Sequence, residues 1–225
     1  MLVTTLVTTL ALVPLMAADE ESATRLRDAA TVFSEIMNTP DKGIPGDLIE
    51  KANCIVIVPD LKSAAFVLGG KYGKGYLSCR QGGGGWSAPG TVRIEGGTVG
   101  FQIGGSSTDL VMLVMNERGV DKLLSSKFTL GGEASVAAGP VGRTATAQTD
   151  AQLRADILSW SRARGLFAGV ALQGATLRES LDDNESLYGM RLENKAIVRG
   201  STRAPREADA LMTLLNQYSA RQKTN

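Results

Sequence analysis

CIVIVPDLKSAAFVLGGKYGKGYLSCR, residues 54–80, is the stretch on which the fold turns. It opens with Cys54-Ile55-Val56-Ile57-Val58, a β-branched apolar run that reads as a buried strand ended by Pro59-Asp60. Residues 64–72 and 75–80 then read as a hairpin turning at Gly73-Lys74. The four glycines 82–85 follow as another turn. The string Gly69-Gly70-Lys71-Tyr72-Gly73-Lys74-Gly75 invites a phosphate-loop reading but does not fit one: that loop needs Gly-Lys followed by Ser or Thr, and here Gly75 follows. No third glycine completes a dinucleotide fingerprint either. The glycines are better explained by backbone geometry, as positive φ values and close strand crossings.

Downstream the short strands continue. Residues 86–88, 91–95 and 98–103 are strand-like, with Gly96-Gly97 as a turn, and 109–115 (DLVMLVM) is a further buried strand. Residues 132–138 and 143–149 are small-residue strands, and 157–162 with 166–172 form a pair around Arg164-Gly165. Helical periodicity marks 22–37, where Leu26, Ala29, Ala30, Phe33, Ile36 and Met37 recur at three- and four-residue steps. It also marks 47–52, 117–125, the stretch from Gly174 to Leu192, and 205–218, where Ala208, Leu211, Leu215 and Tyr218 form a stripe. Residues 194–204 read as a flexible connection. The expected fold is therefore α+β: an antiparallel β-sandwich or distorted barrel of short glycine-rich strands with helices packed at its edges.

Composition narrows the chemistry. The 225 residues carry 24 Lys+Arg, 23 Asp+Glu and no histidine. Serine–histidine and cysteine–histidine catalysis and histidine-ligated metal sites are thus excluded. A net charge of +1 argues against a general nucleic-acid binder. The candidate acid–base carboxylates are Asp60, Glu95, Asp109 and Glu133, and nothing in their spacing puts two together, so the chain reads as no enzyme and implies no cofactor or metal. Trp86 and Trp160 read as core anchors. The two cysteines, Cys54 and Cys79, are either a disulfide between neighbouring strands or two buried free thiols.

Residues 1–18 (MLVTTLVTTLALVPLMAA) are apolar, uncharged and end in small residues, the pattern of a secretory signal. The expected organisation is a signal peptide at 1–18, one domain at 19–193, and a linker with a C-terminal amphipathic helix at 194–225. Charge segregates in the domain: between Leu61 and Ile94 stand Lys62, Lys71, Lys74, Arg80 and Arg93, with no acidic residue. Tyr72, Tyr76 and Trp86 lie among them. Basic side chains with interleaved aromatics suit an anionic membrane surface.

The order of motifs resembles the SYLF domain family, a lipid-binding module also described as the yeast-type actin-binding domain. The matching pieces include Ala52-Asn-Cys-Ile-Val-Ile-Val-Pro59, Gly69 to Gly75, Trp86-Ser-Ala-Pro89, Gly97-Thr-Val-Gly-Phe-Gln-Ile-Gly104, Gly139-Pro-Val-Gly-Arg143 and Ser159-Trp-Ser-Arg-Ala-Arg-Gly-Leu-Phe-Ala-Gly169. The resemblance implies a non-enzymatic module that binds acidic phospholipids, here of the stand-alone, exported bacterial type located in the periplasm or envelope. It adds Arg143 and Arg162 to the expected lipid-binding residues. Actin is an unlikely partner for an exported chain; an envelope structural or protein-interaction domain is the alternative reading. The helix at 22–37 is expected to pack on the sheet rather than enter a membrane, since Asp28 and Glu35 accompany its Arg25 and Arg27.

Overall fold

The computed structural model describes residues 13–39, 43–140, 154–163, 166–167 and 172–219. Helices α1 (Val13–Met37) and α2 (Gly46–Lys51) precede two long strands, β1 (Cys54–Cys79) and β2 (Gly90–Val114). Helix α3 (Glu117–Leu123) and strands β3 (Lys127–Thr129), β4 (Val136–Ala138), β5 (Ile157–Ala163), β6 (Leu166–Phe167) and β7 (Thr176–Glu179) follow. Helices α4 (Leu181–Tyr188) and α5 (Asn194–Arg199), a 3-10 turn at Arg206–Ala208 and α6 (Asp209–Ser219) complete the described residues. Among the described residues, seven strands form one sheet, with β3, β7, β2, β5 and β4 in spatial order, β1 paired along β2, and β6 on β5. The sheet is curled into a half-barrel with helices against it, the α+β architecture that the sequence predicts.

The strands are not all short. The predicted hairpin at Gly73-Lys74 and the predicted turn at Gly96-Gly97 both lie inside unbroken strands, paired Lys74 to Arg93 and Gly70 to Gly97. The glycine-rich segments permit close approach instead of reversal. A Cβ on Gly75 would lie 2.1 Å from the Ile57 carbonyl oxygen, and one on Gly73 would lie 2.8 Å from Val58 Cγ1. The second half of β1 thus crosses its own first half. Of the two geometric demands predicted for these glycines, closeness operates here; the left-handed backbone occurs in the 82–85 turn, at Gly84 and Gly85 (φ 94° and 79°). Pro59-Asp60 does not end the strand either. It makes an irregularity between Val58 and Leu61, with Asp60 at φ 52°. Cys54 and Cys79, at the two ends of β1, are joined by a disulfide.

Alternation along the strands sends side chains to two cores. Cys54, Val56, Val58, Leu77, Val92, Ile94, Leu110, Met112, Phe128 and Leu177 fill the inside of the curl, closed by Ile197 and Val198 of α5. Ile55, Ile57, Tyr76, Val111, Leu113, Leu158 and Trp160 face outward and are covered by α1, α2 and α6. The predicted stripe of α1 is this covering face: Leu26, Ala29, Phe33 and Ile36 are fully buried. The α6 stripe matches too, with Leu211 and Leu215 buried and Tyr218 edge-on to Phe33. Each such large apolar side chain contributes about 1.5–3 kcal/mol on burial. α1 therefore packs on the sheet, and its helix begins at Val13, upstream of the predicted start.

Three further expectations change. The stretch after Gly174 begins with strand β7 before it turns helical, because Leu177 is needed in the core between Ile94 and Phe128. Residues 194–199 are a helix anchored by buried Asn194, Ile197 and Val198, not a flexible connection. Within 132–138 only Val136–Ala138 is strand. The predicted strand at 143–149, together with Arg143, lies outside the described residues. Both tryptophans are core anchors as expected: Trp86 Nε1 donates to Ser219 Oγ (2.8 Å), and Trp160 Nε1 donates to the Pro140 carbonyl (3.0 Å). Among the described residues no helix is long and apolar enough to cross a membrane.

Candidate functional site

Because β1 doubles back, residues 62–64 come to face residues 70–72 of the same strand. An open cleft of about 1020 Å³ sits in the bend. Lys62, Ser63, Lys71 and Tyr72 come from the two arms of β1, Ser106, Ser107 and Asp109 from β2, and Arg162 from β5. β2 supplies its hydroxyls at a polar interruption, Ser106-Ser107-Thr108-Asp109, between an outer segment and the buried run 110–114.

The two lysines differ in setting. Lys62 is exposed, its Nζ 3.4 Å from Asp60 Oδ2. Burial lowers the pKa of Lys71 from its ordinary 10.5, since desolvation disfavours the ammonium. Tyr72 is 47% exposed, one of only two large hydrophobic side chains so exposed among the described residues. Arg162 forms the floor. Its Nη2 donates to Asp109 Oδ2 (3.0 Å) and to Glu35 of α1. Burial alone would lower its pKa, but these two carboxylates outweigh that and raise it. Arg162 is thus a permanent cation that also ties α1 to the sheet.

A second, smaller cleft of about 650 Å³ shares Lys62 and Tyr72 and lies between the β1 arms and residues 20–28 of α1. There Lys74 Nζ donates to Asp183 Oδ1 of α4 (2.8 Å). Burial alone would raise the Asp183 pKa; the bonds from Lys74 and Ser180 reverse this and hold it below the usual carboxylate range.

Of the sequence-predicted basic residues, the fold brings Lys62, Lys71 and Arg162 into one cleft and leaves Lys74 beside it. Arg80 lies elsewhere, at the closed end of the β1–β2 ribbon. Its guanidinium stacks on Trp86 at 4.2 Å, and its Nη2 donates to the Ile49 carbonyl at the end of α2 (2.8 Å). Arg93 is on the outer sheet face, with Nε 3.0 Å from Glu95 Oε1. Tyr72 is one of the aromatics that the sequence sets among the basic residues, whereas Ser106 and Ser107 are not among the expected site residues. The polar break at 106–109 within an apolar strand was the signal that could have found them.

The candidate acid–base carboxylates are distributed as partners. Asp60 and Asp109 are neighbours through the backbone, the Asp60 amide donating to Asp109 Oδ1 (3.2 Å), because the irregularity after Val58 swings Asp60 toward β2. Asp109 is held by Arg162, and Asp60 accepts from Ser107 Oγ. Glu133 and Glu95 lie elsewhere, on Lys122 and on Arg93 with Arg178.

An open cleft with cations and hydroxyls around a solvent-facing tyrosine, on a scaffold of crossed strands, is the layout of a binding module. The family described as Ysc84, Las17-binding protein actin regulator, matches residues 95–218, and the chain belongs to that family. It is 34% identical over 178 residues to Protein YSC84 of Saccharomyces cerevisiae, covering 78% of this chain and 38% of the relative. It is 33% identical over 201 residues to the human SH3 domain-containing YSC84-like protein 1, covering 89% of this chain and 58% of the relative. A protein of Schizosaccharomyces pombe, also named as SH3 domain-containing, is 39% identical over 176 residues, 77% of this chain and 41% of its own. The chain thus spans roughly two fifths to three fifths of the length of these relatives. The family is described by binding and regulation, not by a reaction.

Proposed function

We propose that the bend cleft binds the headgroup of an acidic phospholipid, so that the protein acts as a peripheral, non-enzymatic membrane-binding module. The observation that carries this reading is the convergence of Lys62 and Lys71, from opposite arms of one strand, on an open cleft rimmed by Tyr72. Cations give long-range attraction to an anionic surface, about 1 kcal/mol each. A half-exposed tyrosine suits the water–lipid boundary. Ser106 can donate a hydrogen bond to a phosphate oxygen. Export is part of the proposal. The uncharged apolar run 1–18 supports it, as does the Cys54–Cys79 disulfide, which an oxidising compartment maintains. Cleavage after Ala18 would keep Ser22, Leu26, Ala29, Phe33 and Ile36, which are buried in α1.

Flotation of the chain from Asp19 with phosphatidylcholine vesicles, and with the same vesicles containing phosphatidylglycerol, tests the reading at low and high salt. Binding confined to anionic vesicles, weakened by salt and lost in Lys62→Glu/Lys71→Glu, is the expected result. Equal binding by a folded double variant overturns it. The description of the family as an actin regulator favours a second reading, a protein partner at the same face. Salt-resistant pairing with a protein, in the absence of vesicle binding, would select it.

A further inference from the structure

Four basic residues stand side by side across four strands. Lys74 of β1 is paired with Arg93 of β2, Arg93 with Arg178 of β7, and Arg178 with Lys127 of β3. Paired positions in neighbouring antiparallel strands project to one face, with Cβ atoms about 5 Å apart, and like charges directly opposite one another destabilise a sheet. Ile94, Leu177 and Phe128, each next in sequence to a member of the row, all point into the inner core, so the row lies on the outer face.

Acidic neighbours compensate the row unevenly. Asp183 takes Lys74 (2.8 Å). Glu95 is shared by Arg93 (3.0 Å) and Arg178 (3.5 Å). Lys127 is exposed at the sheet edge and has no ion-pair partner among the described residues. Beyond it, Arg191 closes the other side of a small pocket of about 260 Å³ that Arg93, Lys127 and Arg178 also line. Two carboxylates share that lining, and each is engaged: Asp182 Oδ1 accepts from Arg191 (2.6 Å), and Glu179 Oε2 accepts from the Asn194 amide (3.1 Å). Three guanidinium groups and one ammonium line the pocket; Glu185 also takes Arg191 (3.3 Å) and Glu95 takes Arg93 and Arg178, so Lys127 is the lining cation whose charge no carboxylate compensates among the described residues. No lining residue is shared with the bend cleft.

We propose that this pocket is a second, separate anion site that takes a phosphate group, with Arg178 and Lys127 as its principal donors. The planar guanidinium matches two phosphate oxygens at once, and Lys127 adds a mobile point charge. The phosphate can be that of a soluble phosphorylated molecule or of a lipid headgroup, and the two sources separate by experiment.

Backbone amide NMR of the whole chain, titrated with inorganic phosphate and with pyrophosphate at ionic strength held constant by chloride, reads the site directly. The expected result is a saturable shift at residues 126–127 and 178–182. Lys127→Gln should weaken it about tenfold, the loss expected for one charge-assisted hydrogen bond, while Lys62→Gln/Lys71→Gln leaves it unchanged. That outcome assigns a soluble phosphate. If free phosphate produces no shift but Lys127→Gln weakens binding to phosphatidate vesicles about tenfold, the site is real and takes a headgroup. Lys127 is exposed and outside both cores, so its variant folds; Arg178→Gln is the second probe. Affinity for phosphate and for phosphatidate vesicles unchanged in both variants overturns the proposal.

Discussion

Cys54 and Cys79 stand at opposite ends of one 26-residue strand, yet their Cα atoms are 4.0 Å apart. A strand of that length, fully extended, would separate its ends by about 80 Å. The disulfide therefore records how completely β1 is bent on itself, and that bend is what makes the cleft between Lys62 and Lys71.

Removing the bridge should loosen the bend. In the chain-entropy account a loop of this size contributes about 3 kcal/mol. Cys54→Ala/Cys79→Ala is expected to lower unfolding free energy in urea by about that amount. Vesicle binding measured on the same variant should fall, because the two lysines are no longer held together.

The crossing of β1 on itself needs glycine at one point far more than at others. Gly75→Ala places a methyl 2.1 Å from the Ile57 carbonyl oxygen and 2.8 Å from Val58 Cα, both backbone atoms that cannot step aside. Gly70→Ala meets nothing closer than the Gly96 carbonyl oxygen at 3.9 Å. Thermal unfolding should show Gly75→Ala destabilised by about 3 kcal/mol or more, in the range of the larger core defects. Gly70→Ala should stay within about 1 kcal/mol of the parent.

Asn184, fully buried, links β2 to the C-terminal helices. Its Oδ1 accepts from the Thr91 amide (2.9 Å) and hydroxyl (2.8 Å). Its Nδ2 donates to the Leu192 carbonyl (2.8 Å) and to Asn194 Oδ1 (2.9 Å). Asn184→Ala strands several buried groups at once and should cost about 2–4 kcal/mol in denaturant melts. Amide exchange at Thr91 should accelerate with it.

Acid should destabilise the fold through Asp183 and Asp156. Burial pushes both carboxyls up. For Asp183 the Lys74 and Ser180 bonds prevail, and for Asp156 the Ser135 amide and hydroxyl with Asn116 prevail, so both sit below the ordinary 3.8. Groups lowered on folding contribute stability that is complete above the unfolded value, about 3.9, and is lost as pH falls through the folded one. Urea midpoints should accordingly drop below about pH 4. Asp183→Asn should flatten part of that slope while lowering stability at neutral pH by about 1–2 kcal/mol, between an exposed and a buried ion pair.

The alkaline limb concerns the cleft. Burial lowers the Lys71 pKa, so its charge disappears below 10.5, earlier than that of an ordinary lysine. Affinity for phosphatidylglycerol vesicles should decline as pH rises toward that value. Lys71→Arg, which keeps its charge, should remove the early part of the decline. A profile identical in both proteins would show that Lys71 does not touch the lipid.

The sequence by itself determined the α+β class, the buried faces of α1 and α6, the tryptophan anchors and the family. Each of these depends on short-range periodicity or on residue order, which a linear reading resolves. Pairs of glycines inside an apolar run were ambiguous, because a turn and a close crossing demand the same absence of Cβ. Only the tertiary structure showed that Gly73 and Gly75 let one strand pass over itself, and that Gly96-Gly97 continues another. The short strand β7 was hidden because helical periodicity begins immediately after it. The basic residues of 61–94 read as one group along the chain. The bend divides them: Lys62 and Lys71 into the cleft, Lys74 and Arg93 into a cross-strand row, Arg80 onto Trp86 and the end of α2. Their charge is a property of composition, but the partner of each is set by long-range pairing between residues 54–79 and 90–114, which local sequence does not encode.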